Sequence, residues 1–209
     1  SEMLPGASGF IEAIPSKELD LAWEPVEFTT ELRTRLLLDH YPADAWCPLC
    51  DVVLDTKARR CAKCASGGDR VRRHNGARNV VSRHAEEAGA NPELEKPDLL
   101  QPCPTQPAAD RRRPADVYLP NWFGGIPAAL DLAITSPHRQ DISAVASTRV
   151  GAAAEAYELY KRGHLNTDAD CRARGIAFIP MIAETSGGWG PAAMCTIKRI
   201  AKAAAIRTD

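Results

Sequence analysis

A mixed α/β fold, with a sheet flanked by helices and a small cysteine module on its N-terminal side, is what this sequence predicts. Three observations carry that prediction. Two strand-like runs, Arg113 to Pro120 and Ala129 to Thr135, are joined by a segment containing Gly124-Gly125, as a hairpin requires. A continuous apolar run from Gly175 to Ala183 suits a buried strand, and helical periodicity stands on both sides of it. Two C-x2-C pairs, Cys47-Pro-Leu-Cys50 and Cys61-Ala-Lys-Cys64, have the spacing of metal knuckles. These signals divide the chain into an N-terminal helical segment at 1–45, a zinc-binding module at 46–69 and a core at 70–209.

A length of 209 residues suits one domain or a core with a small appendage. No run approaches the roughly 18 apolar residues of a membrane span. The first residues lack the basic start and apolar stretch of a secretory signal. An intracellular protein with no membrane partner is therefore expected, and in that reducing setting paired cysteines read as ligands rather than disulfides. The net charge of −1 conceals a segregation. Residues 1 to 56 carry 11 acidic and 3 basic side chains. Between Lys57 and Arg83, by contrast, nine basic residues face Asp69 alone, a block of +8. Such a local field favours a polyanionic partner.

The elements follow in order. Phe28, Leu32, Arg35, Leu36 and Asp39, after Thr29-Thr30-Glu31, predict a capped amphipathic helix whose leucines pack on the remainder. Cys47, Cys50, Cys61 and Cys64 suit tetrahedral zinc of a structural kind, because four thiolates leave no open position for catalysis. Cys103, Cys171 and Cys195 lack paired spacing and read as small apolar side chains. From Arg70 to about Ala88, Val71, His74, Ala77, Val81, Ala85 and Ala88 recur at helical spacing, and Gly89 ends the helix. Arg70, Arg72, Arg73, His74 and Arg78 are the expected nucleic-acid contacts. His74 lies on the apolar stripe, so a buried brace, a substrate contact and a metal ligand all remain open for it. The proline-rich 97–114 segment is a surface loop, with Arg111, Arg112 and Arg113 near phosphate. A short strand near Pro92 to Lys96 completes the sheet.

If the hairpin is symmetric about Phe123 and Gly124, Asp116 falls opposite Asp131, with Cβ atoms roughly 5 Å apart. Facing carboxylates repel, and a shared hard cation, magnesium or manganese, gives the arrangement a reason. The next helix, Ser143 to His164, carries Val150, Ala154, Tyr157 and Lys161 on one side, so Lys161 can bury its stem and bring its ammonium to the carboxylates. Glu155 and Glu158 fall off that stripe and are expected in solvent. Glu95 and Glu184, at strand ends, are further carboxylates within possible reach of the metal. A last helix begins near Pro191.

In this order the stretches Cys47 to Cys64, Arg73-His74-Asn75, Pro114-Ala115-Asp116, Asp131-Leu132-Ala133 and Tyr160-Lys161 resemble a known family. It is the restriction-like endonuclease domain of site-specific non-LTR retrotransposon polyproteins, within the wider PD-(D/E)XK superfamily. The resemblance implies a PD-(D/E)XK mixed sheet and magnesium- or manganese-dependent DNA cleavage by Asp116, Asp131 and Lys161. It also implies a nick that primes insertion, a reverse transcriptase domain in the same polyprotein, and a nuclear setting. Three departures stand out. Cys61 occupies the place of a knuckle histidine, Ala115 is inserted before Asp116, and Ala133 stands where the superfamily carries its lysine, which leaves that role to Lys161 on the helix. Two other functions fit parts of the pattern: a catalytically inactive, zinc-dependent nucleic-acid-binding module, and an HNH-type nuclease built on His74, Asn75 and His84.

Overall fold

The Gly-Gly segment turns the chain between two strands, and the sheet grows outward from that hairpin. In the computed structural model, residues 4–18, 22–59, 61, 64, 66–102 and 112–208 are described. The N-terminal segment contributes α1 (Gly9–Glu12) and α2 (Pro25–Arg35). A two-stranded antiparallel ribbon, β1 (Ala45–Trp46) and β2 (Val53–Leu54), carries the first cysteine pair at its turn. The core then runs α3 (Asp69–Glu87), β3 (Glu93–Leu94), β4 (Val117–Leu119), β5 (Ala128–Thr135), α4 (Ser143–Ala146), α5 (Ala152–Gly163), α6 (Thr167–Ala173), β6 (Ala177–Glu184) and α7 (Pro191–Thr208).

The four-stranded sheet has the order β3-β4-β5-β6. The first two pairings are antiparallel and the β5–β6 pairing is parallel, so the sheet is mixed. A parallel pair needs a long crossover, and α4, α5 and α6 supply it. Alternation along β4 and β5 sends side chains to two apolar layers. Val117, Leu119, Ala128, Leu130 and Leu132 pack with Met181 against Val81 and Ala85 of α3 and Ala193 and Ile200 of α7. Ala115, Ala129 and Phe178 pack on the other side with Leu99, Leu100 and Cys171 of α6. The carboxylate hairpin is therefore central, flanked by β3 and β6.

Three expectations change. The helix in the first segment starts at Pro25, not after Thr30; Glu27 accepts the Glu24 N–H at 3.0 Å, and the Thr29 and Thr30 hydroxyls bond back to Pro25 and Val26 carbonyls. None of its residues is buried, and Leu36 is 65% exposed, so its leucines do not pack on the remainder as expected. The single helix expected from Ser143 to His164 is two helices, separated at Gly151, whose φ of 78° is outside the helical region. No helix among the described residues is long and apolar enough to cross a membrane.

Leu130 is fully buried on the central strand, whereas Leu36 faces water. Urea unfolding should therefore find Leu130→Ala destabilised by about 2–5 kcal/mol, from lost burial and the cavity left behind. Leu36→Ala should stay within about 0.5 kcal/mol of the parent. Equal losses in the two variants would contradict this packing.

Candidate functional site

The β4–β5 register pairs Val117 with Leu130, Tyr118 with Ala129 and Leu119 with Ala128. Asp116 stands one residue before β4, outside that register, yet close enough for its charge to act on Asp131. The Asp116 N–H donates to the Leu130 carbonyl at 2.9 Å, which ties the residue to the ladder although it bends out of the strand. Its carboxylate turns toward β5, where Oδ2 accepts the Leu132 N–H at 2.6 Å.

Each carboxylate meets a cation from a different helix. From α5, the Lys161 ammonium straddles Asp131, 3.0 Å from Oδ1 and 3.0 Å from Oδ2. From α3, His74 Nε2 lies 3.2 Å from Asp116 Oδ2 and 3.2 Å from the Leu132 carbonyl. Both partners are acceptors, so Nε2 carries the proton. The Asp131 side chain is only 13% exposed and that of Asp116 22%. Burial pushes the Asp131 carboxyl up to about 6, against the pull of Lys161 and with the charge of Asp116 adding to the rise. The hydrogen bond to Asp116 raises His74 to about 8 despite its partial burial. Burial also opposes the charge of Lys161, but the Asp131 carboxylate outweighs it and holds the ammonium above its ordinary value.

These groups lie in a cleft of about 800 Å³. One side is α3, with Arg70, Val71, Arg73 and His74; β5 from Asp131 to Thr135 also lines it, as do Ser136, Arg139, Tyr157 and Lys161. Arg113 and Thr185 contribute too. The cleft therefore combines Asp116 and Asp131 with several guanidinium groups. Of the expected nucleic-acid contacts, Arg70, Arg73 and His74 line it. Arg72 does not; it is exposed and paired with Asp69 one turn away. Arg78 does not line it either; its side chain is 12% exposed and paired with the exposed Glu95.

Other assignments change as well. Glu95 does not approach the carboxylates but pairs with Arg78 and, at 3.4 Å, with Arg113. Glu184 is 2% exposed and accepts the Ala154 N–H at 3.3 Å, in the first turn of α5. Glu158, expected in solvent, is half-buried and accepts the Ala192 N–H at 3.1 Å at the start of α7. Arg112 is buried and holds Asp170 at 2.6 Å and the Gln101 carbonyl at 2.9 Å, which removes it from any phosphate. Arg111 and Cys103 lie outside the described residues. Arg139 was not anticipated, because it sits in a turn after β5 where no periodicity points.

In the N-terminal module, Cys47, Cys50 and Cys64 bring their sulfurs within 4.8 Å of one another. This cluster can hold a metal ion, and three thiolates are compatible with structural zinc. Cys61, expected as the fourth ligand, is not in the cluster and is exposed. No family profile matches the chain, and no curated protein matches it.

The His74–Asp116 contact has a pH signature in protein kept free of divalent cations. Because the folded pKa of about 8 lies above the ordinary histidine value of 6.5, the contact stabilises fully below 6.5 and is lost as pH rises through about 8. Melting temperature against pH should show a component falling across that window, and His74→Gln should lack it. A parent and variant with parallel profiles would refute the contact.

Proposed function

We propose that this chain is a metal-dependent DNA endonuclease of the PD-(D/E)XK, restriction-like type. The observation that carries this reading is the meeting of two opposed carboxylates and a lysine in a cleft lined with arginines. The donor set suits a hard cation: the carboxylates of Asp116 and Asp131 and the carbonyl of Leu132 are oxygen ligands of the kind magnesium and manganese take. The upward push that burial exerts on Asp131 is the cost a bound cation would relieve. When bound, the cation supplies charge stabilisation at phosphate and a water acidic enough to act as nucleophile.

The chain's own residues account for the rest. Lys161 holds Asp131 in position and presents a positive charge where the phosphate gains negative charge. Its place on α5 answers the lack of a lysine at Ala133. Arg70 and Arg73 attract and orient the backbone, and His74 keeps Asp116 turned toward the Leu132 N–H. In the hydrolysis, water oxygen bonds to phosphorus, the opposite phosphorus–oxygen ester bond breaks in line, and the leaving oxygen takes a proton. Structural zinc in the cysteine module completes the reading, held by Cys47, Cys50 and Cys64, with Cys61 as the fourth ligand the spacing suggests. The resemblance of the motif order supports a further step, that the cut nicks target DNA for retrotransposon insertion beside a reverse transcriptase domain of the same polyprotein.

One observation favours a second reading, an inactive zinc-dependent nucleic-acid-binding module. His74 bonds to the carboxylate oxygen of Asp116 and to the Leu132 carbonyl, both of which the cation would need.

Plasmid nicking separates the two. With magnesium or manganese the parent should nick supercoiled DNA, and Asp131→Ala should slow cleavage by about 10²–10³-fold, the scale of losing one electrostatic stabiliser. Binding without added magnesium or manganese should be retained by both proteins. A parent that binds DNA without cutting it would overturn the nuclease in favour of the binding module.

A further inference from the structure

The cleft that holds the carboxylates is lined as well by an arginine that none of the site's contacts so far involves. Arg139 Nη1 donates to Thr135 Oγ1 at 3.1 Å, and Nε donates to Asp141 Oδ1 at 3.0 Å. Nη2 binds the other oxygen of Asp141, so the carboxylate grips one edge of the guanidinium. The Tyr157 ring backs it, with its centroid 5.5 Å from the guanidinium carbon. Three of the five guanidinium N–H groups are thus committed, and among the described residues one on each Nη remains. The arginine is fixed in direction by three different elements, and it still has donors to give. Its side chain is 35% exposed and lines the same cleft as Asp131 and Lys161.

Two independent rulers locate it. Thr135 is four residues beyond Asp131 on β5, about 13 Å along the strand. Tyr157 is one helical turn before Lys161 on α5, about 6 Å along the axis. Both place the residues that hold the guanidinium a step along β5 and α5 from Asp131 and Lys161, in the cleft those two line. A planar, oriented guanidinium with free donors suits a phosphate oxygen better than it suits a mobile ion partner. Thr135 is 4% exposed and Tyr157 is half-buried, so the backing does not collapse when the arginine takes a ligand.

We propose that Arg139 binds a DNA backbone phosphate flanking the one that is cut, which fixes the register of the strand along β5. This rests on the endonuclease reading above. It makes Arg139 a positioning residue, acting on the reaction through where the strand lies.

The test is affinity of the full chain for a linear duplex without added magnesium or manganese across a salt series, beside nicking in magnesium. Arg139→Gln should lower affinity and flatten the slope of log K against log salt by about 0.9, the value of one lost phosphate contact on duplex DNA. Arg139→Lys should keep the slope. Asp141→Asn, which removes the grip but leaves the charge, should also keep it. A brace that only shapes the turn predicts otherwise: Arg139→Gln and Asp141→Asn would both lower the melting temperature and leave the slope unchanged. That result, with the parent still nicking, would overturn this inference alone. A parent with neither salt-dependent binding nor nicking would overturn it together with the endonuclease reading.

Discussion

Two aspartates close enough to repel, Asp116 just before β4 and Asp131 on β5, are the constraint around which the rest of the structure is arranged. The like charges oppose each other, and the hydrogen bonds of Asp116 to the Leu130 carbonyl and the Leu132 N–H hold it against β5. Each carboxylate has therefore been given a cation from outside the sheet, Lys161 for Asp131 and His74 for Asp116. The helices that carry these cations also cover the sheet: α3 packs on the layer of Leu130 and Leu132, and α5 packs on β5 and β6. Packing and electrostatics thus fix the same two helices. A change that shifted either one would cost apolar burial and an ion pair together.

The two acids are not equivalent. Asp131 is the more enclosed, and its burial favours the neutral form. Asp116 is anchored by the Leu132 N–H and shares its oxygen with His74. An enclosed acid beside an anchored one, both opening on a cleft of arginines, is the asymmetry on which the proposed cation site rests. The N-terminal module stands apart from this economy, because its small apolar cluster of Cys47, Leu54 and Cys64 depends on the cysteines themselves.

The parts that were legible in the sequence are those governed by local periodicity. The hairpin register could be read because side chains alternate with a period of two about a Gly-Gly turn, so one symmetric guess aligned Val117, Tyr118 and Leu119 with their partners on β5, while Asp116 bends out of the strand. Lys161 was legible because it ended an apolar helical stripe. Non-local pairing was not legible. The basic block indicated a field, but nothing in it told that Arg78 would be taken by Glu95, or that Arg112 would be buried against Asp170. Glu184 and Glu158 read as candidate or solvated carboxylates, while the fold uses both at helix starts. Helix α6 was missed although its start, Asn166-Thr167-Asp168, has acidic residues in the first turn and Arg172 in the last. The leucines of α2 mark a stripe, but a stripe does not name what covers it.

The central claim is that Asp116 and Asp131 together hold a hard divalent cation. Manganese titrated into chelator-treated protein, with free Mn²⁺ counted by its paramagnetic resonance, tests it without any appeal to cleavage. The account predicts a saturable site in the parent that is absent from the Asp116→Asn, Asp131→Asn double variant while both proteins melt alike. Equal manganese uptake by the two proteins, or none by the parent, would contradict it.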